Sequence, residues 1–219
     1  MNILAFDTCL DKMYVAVGTK NEILCSKIVE TTKTNYHSAY IMSTIANLLE
    51  ESGLTPQDID VVATNIGPGS FTGIRACTTV ARVMAQAVNI KTIGVSSLEI
   101  LSKINTSDKK TLVALDARKE MAYVSIFDSG KEILAPQSIL VEELKQMIEK
   151  EDYFVITDDK LQPILGGVSY QSEPYDLGAF LINIAVDKLE ASGEDFDWKK
   201  LLPLYIQPPA LHVKKVVNE

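Results

Sequence analysis

The residues that most directly suggest ligand chemistry form a glycine-rich stretch from Gly67 to Arg75, Gly-Pro-Gly-Ser-Phe-Thr-Gly-Ile-Arg. Apolar residues before it predict a buried strand and those after it a long helix, so the loop leads into a helix N-terminus. The N–H groups and the dipole of such a terminus favour a phosphate group. A capped turn without ligand has the same sequence, because Ser70 or Thr72 can accept bonds from first-turn N–H groups. Both interpretations stay open.

Two aspartates end apolar strands in different halves of the chain. Asp7 precedes Tyr14-Val15 by seven residues, and Asp116 precedes Tyr123-Val124 by the same seven. This repeat predicts two lobes of duplicated topology, although three matched residues also arise by chance. A strand-end aspartate commonly caps the turn that follows it, so the position alone does not indicate catalysis.

The three cysteines and two histidines give little sign of a metal site. Cys9, Cys25 and Cys77 are widely separated and lie beside apolar residues, which predicts reduced and mostly buried thiols. We expect neither a disulfide framework nor a metal cluster. His37 begins a predicted helix with Ile41 four residues later, so it has no helical partner for chelation and is better explained as a capping or interface residue.

The apolar periodicity of the first half predicts a three-stranded antiparallel meander followed by alternating helices and strands. The strands are expected at 2–6, 13–17, 23–29, 60–66 and 91–95, and the helices at 36–53, 71–88 and 97–104. The helix at 71–88 is apolar over most of its circumference, which indicates burial on more than one side. Either the helix at 36–53 or a second protein is expected to cover it.

The polar residues Asn105 to Lys110 indicate a domain boundary. Strands are predicted after it at 112–115, 122–127, 133–134 and 153–156, with helices at 141–150 and 177–191. We expect Asp176 to cap the last helix, Asp159 to Tyr175 to form a loop, and the end of the chain to be mostly irregular. No second glycine loop is expected.

The length and the charge of the chain argue against some classes of function. The chain has 219 residues and a formal charge of −8, and all the acidic excess lies after Lys110. Because a negative body repels phosphate backbones, we expect poor binding of nucleic acid by the chain alone. The Lys214-Lys215 pair is too small to reverse this. No apolar run approaches the roughly 20 residues that span a bilayer, and no basic leader is visible, so a cytoplasmic location is predicted.

The predicted element order resembles that of the actin, sugar-kinase and Hsp70 (ASKHA) superfamily. Five segments narrow the resemblance to the bacterial TsaB family, also called YeaZ, and stand in its order and spacing: Ile3 to Thr8, His37-Ser38, Gly67 to Arg75, Gly94 to Leu98 and Asp116 to Arg118. The expected fold is therefore two-lobed α/β with duplicated βββαβα topology. We place the lobe with the glycine loop and partner-binding helices at 1–105, and a smaller acidic lobe at 106–219.

The resemblance implies a role in making N6-threonylcarbamoyladenosine (t6A) beside the tRNA anticodon. TsaB proteins act there as the non-catalytic partner of the related subunit TsaD, with the ATPase TsaE. A heterodimer with TsaD, a homodimer of the chain alone, and contact with tRNA only through the complex are thus implied. The catalytic relative holds a metal through a His-x-x-x-His element, and the matching positions here are Ser97 and Leu101. Neither is a usual metal ligand, so no metal and no catalytic residue are expected.

Kinases of the superfamily place metal-bound nucleotide and the general base at the positions of Asp7 and Asp116. Here the turn Cys9-Leu10-Asp11 lacks the glycines that those kinases carry. We therefore expect no cofactor beyond weak ATP or ADP binding, restricted to the complex if it occurs. The vestigial nucleotide loop comprises Asp7, Thr8, Gly67, Gly69, Ser70, Thr72 and Gly73.

The partner interface is expected on the two helices of the first lobe. Its residues are His37, Tyr40, Ile41, Thr44, Arg75, Thr78, Ala81, Arg82, Met84 and Ala85. A small ATP-dependent kinase-like enzyme and a metallopeptidase of the same superfamily are the alternatives to a scaffold.

Overall fold

The computed structural model of the protein describes residues 1–30, 37–191 and 195–206, and of residues 37 and 38 only the backbone. Several predictions lie outside the described residues. They concern the polar loop 31–35, Tyr36, the His37 side chain, His212, and the basic pair at 214–215.

The first sheet forms from five short apolar segments. Its strands are β1 (Ile3–Asp7), β2 (Met13–Gly18), β3 (Ile23–Val29), β4 (Val61–Asn65) and β5 (Lys91–Val95). The order is β3-β2-β1-β4-β5, in which the meander is antiparallel while β4 and β5 run parallel to β1. β1, β2 and β4 are buried throughout, as expected for central strands with helices on both faces.

The helices of this half of the chain are α1 (His37–Glu51), α2 (Phe71–Val88) and α3 (Ser97–Ser102), of which α3 packs against β6 and β7 of the second sheet, whose bounds are given below. Ser70 caps α2 by accepting a bond from Gly73 N–H, and Asn89 ends it in the left-handed conformation. α1 and α2 pack on one face of the sheet through a core that includes Phe6, Leu48 and Ile74. The predicted helix and strand positions of the first half are confirmed.

The second sheet repeats the topology of the first. Its strands are β6 (Thr111–Asp116), β7 (Met121–Asp128), β8 (Lys131–Leu140), β9 (Phe154–Thr157) and β10 (Val168–Ser169), with helices α4 (Val141–Lys150) and α5 (Gln162–Leu165). The order β10-β9-β6-β7-β8 mirrors the first sheet strand for strand. The duplicated βββαβα topology predicted from the sequence is therefore confirmed.

Two expectations for the second half need correction. The segment 159–175 is not only a loop, since it contains α5 and β10, and β10 is held by parallel pairing with β9. β8 extends well beyond 133–134. It is an edge strand, where Pro136 is tolerated because one side of the strand makes no ladder bonds.

The last helix, α6 (Leu177–Glu190), returns to the first sheet. Asp176 caps it as predicted, and its buried face packs against β1, β2 and β4. One core joins the inner faces of both sheets through α3 and α6. Residues 195–206, here called the strap, then run beside β5, where Thr92 N–H donates to the Phe196 carbonyl. The boundary between lobes at 105 and 106 stays a prediction.

In the described ranges, no helix combines the length and apolar character needed to cross a membrane.

Candidate functional site

The end of β1 holds a buried carboxylate. Asp7 is 1% exposed. Its Oδ1 accepts a bond from Cys9 N–H at 2.6 Å, and its Oδ2 accepts one from the Asn65 side-chain amide at 2.9 Å. Burial raises the pKa of Asp7 to about 6, against the lowering effect of these hydrogen bonds. Each carboxylate oxygen thus accepts one hydrogen bond from the chain itself.

The glycine loop lies directly against the turn after Asp7. A Cβ on Gly73 would stand 1.9 Å from the Thr8 carbonyl oxygen, and one on Gly69 would stand 2.4 Å from that of Cys9. Ser70 N–H donates to the same Cys9 carbonyl at 2.7 Å. These glycines therefore have a packing reason that involves no ligand, because only they allow two backbone segments to approach so closely.

Asn65 and Ser97 connect the glycine loop to α3. Asn65 Oδ1 accepts bonds from Gly67 N–H at 2.8 Å and from the Ser97 hydroxyl at 2.9 Å. The same hydroxyl lies 2.7 Å from the Pro68 carbonyl, and Ser97 N–H donates to the Gly67 carbonyl. Ser97 is therefore an anchor of the loop, and we name the group formed by Asp7, Thr8, Cys9, Asn65, the loop 67–73 and Ser97 the Asp7 corner.

The sequence did not predict the role of Asn65 or the proximity of the Cys9 and Cys77 thiols. Asn65 ends the strand before the glycine loop, and its polar side chain after an apolar run was an available signal. Cys77 on α2 reaches the Asp7 corner, where its Sγ accepts a bond from Thr8 N–H at 3.2 Å. Cys9 and Cys77 are buried, as predicted, and Cys25 is partly exposed. Nothing in the local sequence brings positions 9 and 77 together.

The equivalent place in the second lobe, the Asp116 corner, has a different character. Asp116 binds the exposed Lys160 ammonium at 2.7 Å and accepts a bond from Arg118 N–H. Asp116 N–H donates to Asp158 Oδ2. Partial burial opposes the shift, but the bonds from Lys160 and Arg118 prevail and lower the pKa of Asp116. Its carboxylate is 20% exposed.

The turn after Asp116 is strained. Arg118, Lys119 and Glu120 all have φ between 51 and 65°, a region that non-glycine residues rarely adopt. Although Asp and Tyr are seven residues apart in both lobes, the pairing of the two strands differs by one residue. Asp7 is paired with Tyr14, whereas Tyr123 is paired with Leu115 and Asp116 with Ala122. The second hairpin is thus one residue tighter than the first.

The predicted partner residues divide into a buried and an exposed group. Four of them are buried and are therefore not the surface residues that were expected: Ile41, Thr78, Ala81 and Ala85. Helical periodicity identified the apolar side of each helix, and that side faces the protein's own core. Tyr40 and Arg75 are exposed, while Thr44, Arg82 and Met84 are partly exposed. The backbone of His37 begins α1.

The strap covers part of α2, which sequence reasoning also missed. The Arg82 guanidinium lies 5.4 Å from the Trp198 ring centre, and the Phe71 and Tyr205 rings are 5.6 Å apart. Arg75 lies 5.4 Å over Phe71. A third side of this apolar helix is therefore occupied by the chain itself, in addition to the sides facing the sheet and α1.

Comparisons with known proteins bear on this arrangement. Residues 24–153 match the family model described as TsaD: tRNA N6-adenosine threonylcarbamoyltransferase. The tRNA threonylcarbamoyladenosine biosynthesis protein TsaB of Bacillus subtilis (strain 168) is 28% identical over 158 residues, 69% of this chain and 68% of that protein. The protein of the same name from Buchnera aphidicola subsp. Schizaphis graminum is 34% identical over 124 residues, 55% of this chain and 58% of its own length.

The fold has solved relatives. YeaZ from Pseudomonas aeruginosa superimposes with a TM-score of 0.77 at 22% identity, over 94% of this chain and 100% of that one. The ethanolamine utilization protein EutJ from Carboxydothermus hydrogenoformans gives 0.51 at 11% identity, over 84% and 90%. At such identities the likeness shows the fold, which is ASKHA-like, with two lobes of duplicated topology. With the family match and the named relatives, the chain belongs to the TsaB (YeaZ) family.

Proposed function

We propose that the chain is a non-catalytic scaffold that binds TsaD during t6A biosynthesis in tRNA, together with TsaE. Two relatives carry names that place them in t6A biosynthesis, and the matching family model is described as TsaD. tRNA is expected to be contacted only through the complex, because the body of this chain is acidic. The predicted cytoplasmic location agrees with this proposal.

The observation that carries the proposal is a set of exposed apolar side chains on the packed pair α1 and α2. Tyr40 and Met42 on α1 are 45% and 54% exposed, and Phe71 and Val83 on α2 are 48% and 59% exposed. Large apolar side chains exposed on a helix pair are typical of a protein-binding region. We name these four residues the α1–α2 face.

A related lobe with the same helix pair is the expected partner. Two such helix pairs placed face to face would form a four-helix arrangement and remove the α1–α2 face from water. A second copy of the chain offers the same surface, so a homodimer is expected when TsaD is absent.

The Asp7 corner supports a non-catalytic role. Ser97 and Leu101, at the positions of the histidine ligands in the catalytic relative, are fully buried, and the Ser97 hydroxyl is committed to Asn65 and Pro68. Both oxygens of Asp7 are hydrogen-bonded within the chain. A metallopeptidase of this superfamily would need metal ligands at positions 97 and 101, and a kinase would need an Asp7 carboxylate open to a nucleotide-bound metal, so both alternatives have less support than a scaffold.

Reconstitution of threonylcarbamoyl transfer tests the proposal. TsaD and TsaE with tRNA and substrates are assayed with and without this chain, and t6A is measured in the tRNA. We expect t6A only when all three proteins are present. Full activity of TsaD and TsaE alone would contradict the scaffold role, and turnover of ATP by this chain alone, lost in Asp7→Ala, would favour the enzyme.

A charge on the α1–α2 face tests the surface. Val83→Asp is expected to abolish co-purification with TsaD, because a carboxylate in an apolar interface loses its hydration. Ile133→Asp on β8 is the matched control, since Ile133 is 54% exposed but lies in the second lobe. Ala81 is unsuitable for this purpose because it is fully buried and a charge there would unfold the chain. Unchanged binding by Val83→Asp would reject this face.

A further inference from the structure

Three potential metal ligands from distant parts of the sequence meet beneath the glycine loop. One carboxylate oxygen of Asp7 and the Sγ atoms of Cys9 and Cys77 all lie within 4.8 Å of one another, and all three side chains are buried. Asp7 ends β1, Cys9 lies in the turn after it, and Cys77 lies in the second turn of α2. The proposed partner role uses none of these three groups.

The spacing is close to that of a tetrahedral zinc site. With Zn–S near 2.3 Å and Zn–O near 2.0 Å, neighbouring ligands are about 3.5 to 3.8 Å apart. A small contraction of the present cluster would reach this spacing. The Asn65 main-chain carbonyl oxygen lies 3.4 Å from Cys9 Sγ, so an oxygen is available as a fourth ligand at the same place.

The groups around the cluster hold the ligands as outer partners do in known metal sites. The Asn65 amide fixes the Asp7 carboxylate at 2.9 Å. Thr8 N–H points at Cys77 Sγ from 3.2 Å, and the Thr8 hydroxyl lies 3.3 Å from the same sulfur. The one N–H bond that Cys77 Sγ accepts favours the thiolate form of that side chain.

We propose that Asp7, Cys9 and Cys77 form a binding site for a thiophilic divalent cation of the Zn²⁺ class. Binding replaces the two thiol protons, which pass to solvent, and two thiolates with one carboxylate leave the occupied site with a single negative charge. Once bound, the cation fixes the turn that carries Cys9 to α2, and with it the direction in which α2 leaves the glycine loop.

Cobalt is a direct probe of the site, because thiolate ligands give Co²⁺ a sulfur-to-metal charge-transfer band. The reduced full chain is titrated with Co²⁺ and then with Zn²⁺. We expect one equivalent of Co²⁺ to produce the band and Zn²⁺ to remove it. Cys9→Ser and Cys77→Ser should lose affinity by more than about 100-fold, whereas Cys25→Ser should bind as the unaltered chain does. Absence of the band in the unaltered chain, or its retention in Cys77→Ser, overturns the proposal.

A measurement without ligand substitutions covers the case in which these variants do not fold. Zn²⁺ added to the Cys25→Ser chain should release two protons per bound ion and raise the midpoint of thermal unfolding. No proton release and no shift would reject the site.

Discussion

Asp7 and Asp116 occupy the same position in two lobes of duplicated topology, yet their surroundings are opposite. Asp7 is enclosed, its carboxylate is bonded to neutral groups, and burial raises its pKa. Asp116 reaches solvent, is bonded to Lys160, and has a lowered pKa. The difference comes from the segment after the neighbouring parallel strand, which is the glycine loop after β4 and a short acidic segment after β9.

Topology thus sets the position of a strand-end aspartate, while the adjacent loop sets its chemistry. In the first lobe, the backbone of Thr8 and Cys9 fills the space beside the glycine loop. In the second lobe, the carboxylate remains available for ion pairing. Substitutions at four positions, two of them the aspartates themselves, test this contrast.

Gly73→Ala should be the most destabilising of the four. The added Cβ would stand 1.9 Å from the Thr8 carbonyl oxygen, and a backbone atom cannot yield cheaply, so we expect a loss of about 3 kcal/mol or more. Helix propensity alone predicts the opposite sign, a gain of up to about 1 kcal/mol. Denaturant unfolding measures the change.

Gly178→Ala in α6 is the matched control for this substitution. The atom nearest to its added Cβ is the Ala16 Cβ at 3.0 Å, so a smaller loss is expected. A more stable Gly73→Ala chain would show that the space beside the loop is open, as a ligand site requires.

Asp7→Asn should gain stability relative to the unaltered chain as pH rises. The folded pKa of about 6 exceeds the unfolded value of 3.8, so the folded state binds the proton more tightly. The stability that Asp7 contributes is therefore fully present below pH 3.8 and is lost as pH rises through 6. Since Asn does not titrate, the difference between the two free energies of unfolding should change by about 2.5 kcal/mol between about pH 4 and 7. A difference independent of pH would contradict the buried state of Asp7.

Much of the fold can be predicted from the sequence because apolar runs of five or six residues and helical periodicity are local signals. The strands before Asp7 and Asp116 and the helix at 71–88 were predicted on that basis. α5 and β10 were missed because four and two residues carry no periodicity. β10 exists through its pairing with β9, which is a tertiary effect.

The candidate site was less predictable because its geometry depends on contacts between distant residues. The glycines at 69 and 73 suggested an anion site, but the carbonyls that explain them belong to residues 8 and 9. The apolar side of α2 suggested a partner surface, but the sheet and α1 cover it. An apolar sequence pattern shows that one side of a helix is buried. It does not show whether another part of the same chain or a partner protein covers that side.

Ser97→Ala should cost an intermediate amount. The substitution removes a buried hydroxyl whose single proton is shared between Asn65 Oδ1 and Pro68 O and which joins the glycine loop to α3. A buried hydrogen bond lost in this way costs about 1 to 2 kcal/mol in the free energy of unfolding. Ser102→Ala is the control, because the Ser102 hydroxyl bonds only the Glu99 carbonyl one turn earlier. Equal losses in the two variants would mean that Ser97 does not anchor the loop.

Asp116→Asn should give the smallest effect, with the pH dependence reversed. The folded pKa of Asp116 is lowered, so its contribution to stability is present above the unfolded pKa and is lost as pH falls through the folded value. The variant should therefore lose stability relative to the unaltered chain as pH rises from acid to neutral. Because Lys160 is largely exposed, the change should stay below about 1 kcal/mol and shrink in high salt.

Lys160→Met removes the same ion pair, so the double variant should lose little more stability than either single variant. If Asp116→Asn instead gained stability with rising pH, as Asp7→Asn should, the pKa values of both aspartates would be shifted in the same direction. The adjacent loops would then not explain a difference between the two corners.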